Sequence, residues 1–355
     1  MPKILTGLNS TLELISRWAT AEVMFQLCKA PYLDALRAGG SINQIATKHN
    51  LDRELFIELI DALDREGLAR HEGDTVKLSQ RGEDVCQCAG WLTLYVGGYG
   101  PLFRNIDGIV RRTYSGPRRD GRFVATGSCQ ISQYDSIPLT RRLIERTRPD
   151  ARMVVDFGCG NAQYLVTFCE QMPGLRAIGV EENADACDEG RKLIATRNLQ
   201  DRISLVNSSA IHFTPEEEPD FIIFAFVLHE LVSQLGESGV ETLLRAFRTR
   251  CPNTLLLIIE VDDARETNPD IFNTPIGRGY YNYYFMWHPF TNQRLLPDRA
   301  WRALFRGAGF EVIESEVASR EIDPSGLEIG YVLRPSNKLE SIRERQQYAS
   351  STGDS

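Results

Sequence analysis

Apolar residues recur along this chain with two different periods, and the change of period divides it. Between residues 20 and 85 the spacing is helical and predicts three helices and a short hairpin. Ser41 and Gln44 make a capping box ahead of "INQIATKHN". Asp52 opens a helix whose apolar positions Leu55, Phe56, Leu59, Ile60 and Leu63 form one stripe, closed by Gly67. In "LARHEGDTVKLSQRG", Gly73 and Asp74 suit a turn between two short strands. Helices followed by a hairpin in that order predict a winged-helix module. From Arg152 onward, short apolar runs alternate with helical stretches. "RMVVDFG", "LRAIGVEE", "ISLVNSS", "DFIIFAFV" and "TLLLIIEV" read as strands; "NAQYLVTFCEQM", "ADACDEGRKLIATRN" and a segment near 238–249 read as helices. That alternation predicts an α/β domain with a doubly wound parallel sheet and a ligand at the carboxyl ends of its strands.

The pattern sets the expected boundaries: a winged-helix or dimerisation domain over 1–95, linker helices over 96–145, an α/β domain over 146–336 and a polar tail over 337–355. The linker is rich in glycine, proline and paired arginines. Arg111, Arg112, Arg118, Arg119 and Arg122 read as a solvated charged face, or as the source of one bidentate grip on a substrate carboxylate. Arg122, beside the apolar "FVATG", is the choice for that grip, and Tyr99 is a second pocket residue from the same segment.

Composition narrows the class. A length of 355 residues suits about two domains, and 42% hydrophobic with 25% charged residues allows a sizeable core. The net charge of −8 argues against a general nucleic-acid or anionic-membrane binder. The third predicted helix carries Asp52, Glu54, Glu58, Asp61, Asp64 and Glu66 against Arg53 and Arg65, a balance that repels phosphate. Its module therefore reads as a scaffold for dimerisation. No apolar run approaches the ~20 residues that span a bilayer, and the N-terminus lacks a secretory pattern. The eight cysteines are scattered, with Cys86 and Cys88 forming only a C-x-C pair, so a reducing cytoplasm is expected.

The glycines of "VVDFGCGNA" bring in chemistry. Gly158 and Gly160 let the backbone turn tightly and approach a ligand, but the third glycine of a dinucleotide fingerprint is missing. Glu181 ends the second strand, 21 residues beyond Gly160, where it can accept both hydroxyls of a ribose. "VVDFGCGNA" and "IGVEEN" resemble the first two motifs of the S-adenosylmethionine-dependent methyltransferases of the Rossmann-like class. The resemblance implies that Asp156, Gly158 and Gly160 hold the amino-acid part of S-adenosyl-L-methionine and Glu181 its ribose. Ser209 stands where the family usually has an Asp near the adenine. It further implies that "FEVIESEV" and "LEIGYVLRP" close a seven-stranded sheet as an antiparallel hairpin, and that the winged-helix module makes a homodimer.

Two histidines carry the rest. "VLHEL" resembles the fourth-strand motif of small-molecule O-methyltransferases, in which the histidine deprotonates a phenol; here that is His229, followed by Glu230. "RGYYNYYFMWHPFTNQRLLP" resembles a smaller group, the α-keto acid C-methyltransferases of natural-product pathways, and within it the 2-ketoarginine methyltransferases. This second resemblance implies methylation beside the keto group of 5-guanidino-2-oxopentanoate, with an iron or zinc ion held by His229 and His288. A chelating metal would stabilise the enolate, with Glu230 as a third ligand or as the proton carrier. Asp262, Asp263 and Glu266 are candidates for the guanidinium, or form a solvated acidic loop. The aromatic run around Trp287 lines a substrate, or is core packing in which His288 is a satisfied histidine. His49, His71 and His212 read as surface residues.

Overall fold

The structure, a computed structural model, describes residues 2–336, and the polar tail expected over 337–355 lies outside them. The chain divides into two compact units between Ile131 and Ser132.

The first unit begins with a helix at Pro2–Cys28 and continues with helices Leu33–Ala38, Ile42–His49 and Arg53–Arg65. Strands β1 (Gly40–Ser41), β2 (Ala69–Glu72) and β3 (Thr75–Leu78) form an antiparallel sheet in the order β1-β3-β2, one short strand more than the expected hairpin. Both predicted caps are made: the Ser41 hydroxyl accepts from the Gln44 N–H at 3.2 Å, and Asp52 accepts from the Leu55 N–H at 3.1 Å. The apolar stripe is narrower than its sequence suggests. Phe56, Ile60 and Leu63 are buried with Ile42, Ile45 and Val76, whereas Leu55 is 70% exposed. His71 is also corrected. It is half-buried on β2 with Nδ1 2.5 Å from Asp61, and that bond raises its pKa.

The linker expected over 96–145 is split by the division of the chain. Its first part belongs to the first unit, in short helices and a π-helical turn at Thr93–Gly98. Its last part is a helix, Ser136–Thr147, that buries Ile137, Leu139, Leu143 and Ile144 against the sheet of the second unit. Apolar burial, rather than the glycine and arginine content nearby, sets the boundary.

In the second unit, β4 (Met153–Phe157), β5 (Arg176–Glu181), β6 (Ile203–Asn207), β7 (Phe221–Ala225) and β8 (Leu255–Val261) are parallel. β9 (Phe310–Val317) and β10 (Glu328–Pro335) complete the order β6-β5-β4-β7-β8-β10-β9, with β10 antiparallel to both neighbours. The central strands face a core on each side. Val154, Ile223, Leu257 and Ile259 meet one set of helices, and Val155, Ile222, Leu256 and Ile258 meet the other. Burial on both faces is why these strands are unbroken apolar runs. The α/β, seven-stranded expectation is met. One boundary is not: the helix expected near 238–249 runs over Leu228–Arg250, with a break at Gly236 (φ 72°, ψ 168°). Phe226, in the left-handed region at φ 59°, turns the chain out of β7. His229 and Glu230 therefore sit on the first turn of a helix, not at the end of a strand. No helix among the described residues is long and apolar enough to cross a membrane.

Candidate functional site

The loop after β4 turns through Gly158 (φ 73°) and Gly160 (φ 53°). A Cβ on Gly158 would lie 2.6 Å from a methyl of Val227, so a side chain there would force a shift as well as strain the backbone. The Glu181 carboxylate is locked beside this loop, one oxygen accepting from the Gly160 N–H and the other from the Asn183 N–H, each at 2.9 Å. The Asn207 amide reaches the carbonyls of Glu181 and Glu182, which ties the loop after β6 to the same place. Asp156 is buried beneath the loop. Burial first, and the charge of Glu181 second, push its carboxyl up to about 8, so it keeps its proton at neutral pH. Ser209 follows β6, with its hydroxyl 2.9 Å from His212 Nδ1. The structure thus gathers Asp156, Gly158, Gly160 and Glu181 at the carboxyl edge of β4 and β5, and puts Ser209 in the next loop of that edge.

His229 and His288 are brought together, with ring centroids 5.1 Å apart and planes at 73°. Glu260, the penultimate residue of β8 and fully buried, grips His229 twice: Oε1 accepts from its backbone N–H at 3.1 Å, and Oε2 lies 2.9 Å from Nδ1. His288 Nδ1 is 2.6 Å from the carbonyl oxygen of Tyr284. A carbonyl only accepts, so Nδ1 of His288 carries the proton, and in the neutral ring the lone pair is on Nε2. A buried carboxylate on His229 imposes the same tautomer. Glu230 accepts from the Gln293 side-chain amide. The Gln293 N–H donates to the His288 carbonyl at 2.8 Å and the Arg294 N–H to the His229 carbonyl at 3.3 Å. Residues 293 and 294 therefore clasp the two histidine-bearing helices to each other.

Among the described residues no group of three or more His, Cys, Asp or Glu side chains is placed to hold a metal. A closed protein cage is thus not present, and Glu230 is engaged with Gln293. What the donor set does fit is an ion held by two imidazoles, each fixed through Nδ1 by a carboxylate or a carbonyl, as metal-binding histidines are. Ligand oxygens would complete the coordination.

The expected substrate residues fare unevenly. Trp287, 1% exposed, packs on Tyr284 and His288 and forms a wall beside the pair. Asp262 Oδ1 instead accepts from the Asp298 N–H at 2.7 Å, at the start of the Asp298–Gly307 helix, and burial raises its pKa. Asp263 is paired with Arg265 at 2.7 Å, and Glu266 approaches Arg299 at 3.8 Å, so all three acids have structural partners. Tyr99 and Arg122 belong to the first unit. Tyr99 is buried; Arg122 is exposed, on a cavity of about 400 Å³ that Phe25, Lys29 and Phe123 also line. Sequence reasoning missed Glu260, although an acid inside the apolar "LLLIIEV" is a signal for a buried partner. It also missed Gln293, whose role depends on contacts far along the chain.

Residues 132–315 match the methyltransferase domain family. Over 336 residues the chain is 31% identical to a 2-ketoarginine methyltransferase of Streptomyces arginensis, covering 92% of this chain and 95% of that protein. An O-methyltransferase family protein from Burkholderia thailandensis shares the fold, with a TM-score of 0.63, 16% identity, and coverage of 93% and 98% of the two chains. CalO1, a methyltransferase of calicheamicin biosynthesis in its SAH-bound form, does so with a TM-score of 0.60, 15% identity, and coverage of 94% and 99%.

Proposed function

Because this chain belongs to the S-adenosylmethionine-dependent methyltransferases, we propose that it methylates the carbon beside the keto group of an α-keto acid, with 2-ketoarginine as the substrate and its 3-methyl derivative as the product. The similarity to a 2-ketoarginine methyltransferase along nearly the whole chain supports the substrate. The observation that carries the chemistry is the pair of imidazoles 5.1 Å apart, each anchored through Nδ1.

A C–H bond beside a ketone is a poor acid, so the reaction needs a base for the proton and a partner for the enolate oxygen. In this scheme His229, with Nδ1 tied to the Glu260 carboxylate, would offer Nε2 as an ion ligand, and Glu230 beside it would carry the proton. The His288 ring stands 5.1 Å from that of His229, with its own Nδ1 tied to the Tyr284 carbonyl, a second fixed imidazole that a lone base for a phenol would not require. An iron or zinc ion bound by His229 and His288 would act as a Lewis acid on the keto oxygen. Methyl transfer then depends on aligning the carbon with the cofactor held at Gly158, Gly160 and Glu181, a matter of position. The buried Trp287 and the Tyr284 ring keep water from the pair.

The homodimer belongs to this reading as well. It is supported by Leu8, Leu12, Ile15 and Trp18, which lie on one face of the Pro2–Cys28 helix and are exposed. Eight free thiols suit a reducing compartment.

The test is incubation with labelled cofactor and 2-ketoarginine, alone and beside a phenolic acceptor, the position of the new methyl being read by NMR. A methyl on C3 is expected; a methyl on an oxygen of a phenolic acceptor, with no keto acid consumed, supports plain O-methylation instead. His288→Ala should lower turnover at least about a hundredfold and reduce bound metal measured by mass spectrometry. Full activity in that variant would remove the two-histidine scheme.

A further inference from the structure

A second buried constellation lies at the same edge of the sheet. Asp135, Asp323 and Glu328 are 7%, 4% and 5% exposed. They come from three separate segments: the cap of the Ser136–Thr147 helix, the β9–β10 connection and the first residue of β10. Asp135 accepts from the Ser136 N–H at 2.5 Å. Asp323 is well supplied, accepting from the Tyr281 hydroxyl at 2.7 Å, from the Ser325 N–H at 3.0 Å and from the Ser325 hydroxyl. Glu328 differs. Its side chain shares a hydrogen bond with Asp135, but its Oε1 is buried and accepts none, and the charged groups that act on it, Asp135 and Asp323, are both acids. Carboxyls are rarely buried together without a cation, because each loses its hydration and repels the next. Burial accordingly raises Glu328 well above the usual carboxylate range and Asp135 to about 6. Backbone N–H groups serve Asp135 and Asp323, but no positive charge is among the groups that act on Glu328.

Its location connects it to the histidine pair. Glu328 is paired with Val261, the residue after Glu260, and adjacent strands lie about 5 Å apart. Side-chain alternation sends Glu260 and Glu328 to opposite faces of that edge, so the two acids flank the ends of β8 and β10. From the other side, Tyr281, which bonds Asp323, is 6.0 Å from Tyr284, and Tyr284 is 4.2 Å from His288. Two aromatic rings separate the acids from the proposed reaction centre.

We propose that Asp135, Asp323 and Glu328 form the subsite for the guanidinium end of the keto-acid substrate, with Glu328 supplying the counter-charge. A guanidinium carries five N–H donors in a plane and a permanent positive charge, and would bring Glu328 both a donor for Oε1 and a counter-charge. Asp262, Asp263 and Glu266, each with a partner in the fold, are then not needed for that role. The inference rests on the keto-acid reading above, which supplies the reason for a cation at this edge. The cofactor's ammonium shares the cationic chemistry, and the experiment separates the two sources.

Wild type, Glu328→Gln and Asp135→Asn are assayed with 2-ketoarginine and with its neutral ureido counterpart, and KM for the cofactor is measured alongside. Wild type should prefer the guanidino substrate in kcat/KM by about a hundredfold, because the ureido group leaves buried carboxylates unpaired. In Glu328→Gln that preference should fall at least about tenfold. Asp135→Asn, which keeps a capping side chain, reads the same ratio if the first variant fails to fold. Equal use of both substrates by wild type, or a preference that both variants retain, overturns the proposal. So does a change confined to KM for the cofactor, which would assign the cluster to its ammonium. If neither keto acid is methylated on carbon, the functional reading fails by itself. The cluster is then judged by calorimetric titration of agmatine into the cofactor-loaded protein: binding lost in Glu328→Gln upholds a guanidinium site, and no binding to wild type ends it.

Discussion

Glu260 does two things at once for His229: it holds the backbone N–H, which fixes the first turn of the helix, and it holds Nδ1, which fixes the tautomer. Glu260→Gln keeps the shape but offers an amide whose NH₂ can face the ring and reverse that tautomer. Turnover should fall by about a hundredfold or more, with a small change in thermal midpoint. Steady-state kinetics and calorimetry on the same preparation check both halves. Asp156 gives a pH-dependent prediction. Its carboxyl stays protonated to about pH 8 in the folded chain and ionises near 3.8 when unfolded. Between those values the folded state holds a proton that the unfolded state has lost, so stability falls as pH rises across the interval. Asp156→Asn should flatten that fall, as read from denaturant midpoints of the cofactor-free protein from pH 5 to 8.

At the scale of elements, the turn after β4 depends on a residue without a side chain. Gly158→Ala meets both a left-handed backbone and a contact of 2.6 Å to Val227, and should destabilise the protein by about 1–3 kcal/mol. Cofactor affinity measured by calorimetry should drop with it, because the loop also places the Gly160 N–H on Glu181. The strands of the sheet were legible in the sequence because burial on both faces leaves uninterrupted apolar runs. The start of the helix at Leu228 was not. "FIIFAFVL" stays apolar through the turn at Phe226, so no polar residue marks where the strand stops. The division of the chain within the linker was not legible for a related reason. Glycines and arginines dominate its composition, whereas the buried side of one helix, Ile137 to Ile144, decides where it belongs. The pairing of His229 with His288 came from resemblance; nothing local announces it across fifty-nine residues of sequence.

For the molecule as a whole, the exposed apolar row on the first helix is the feature that a single copy leaves open. On the dimer reading, Trp18→Glu places a charge at a side chain that is now 65% exposed, and should shift the protein toward monomer. Light scattering after size exclusion, across a concentration series, reads this directly; an unchanged mass would move the seam elsewhere. The clasp at Gln293 and Arg294 has a consequence of another kind. The gap between the two imidazoles is gauged by the short stretch from His288 to Arg294 together with Glu260 and Tyr284, which hold the two rings. A chain that keeps Glu260, Tyr284 and the stretch to Arg294 can therefore lengthen, shorten or rewrite the loop between β8 and the histidine-bearing helix and keep the same gauge, while one inserted residue after His288 would reset it.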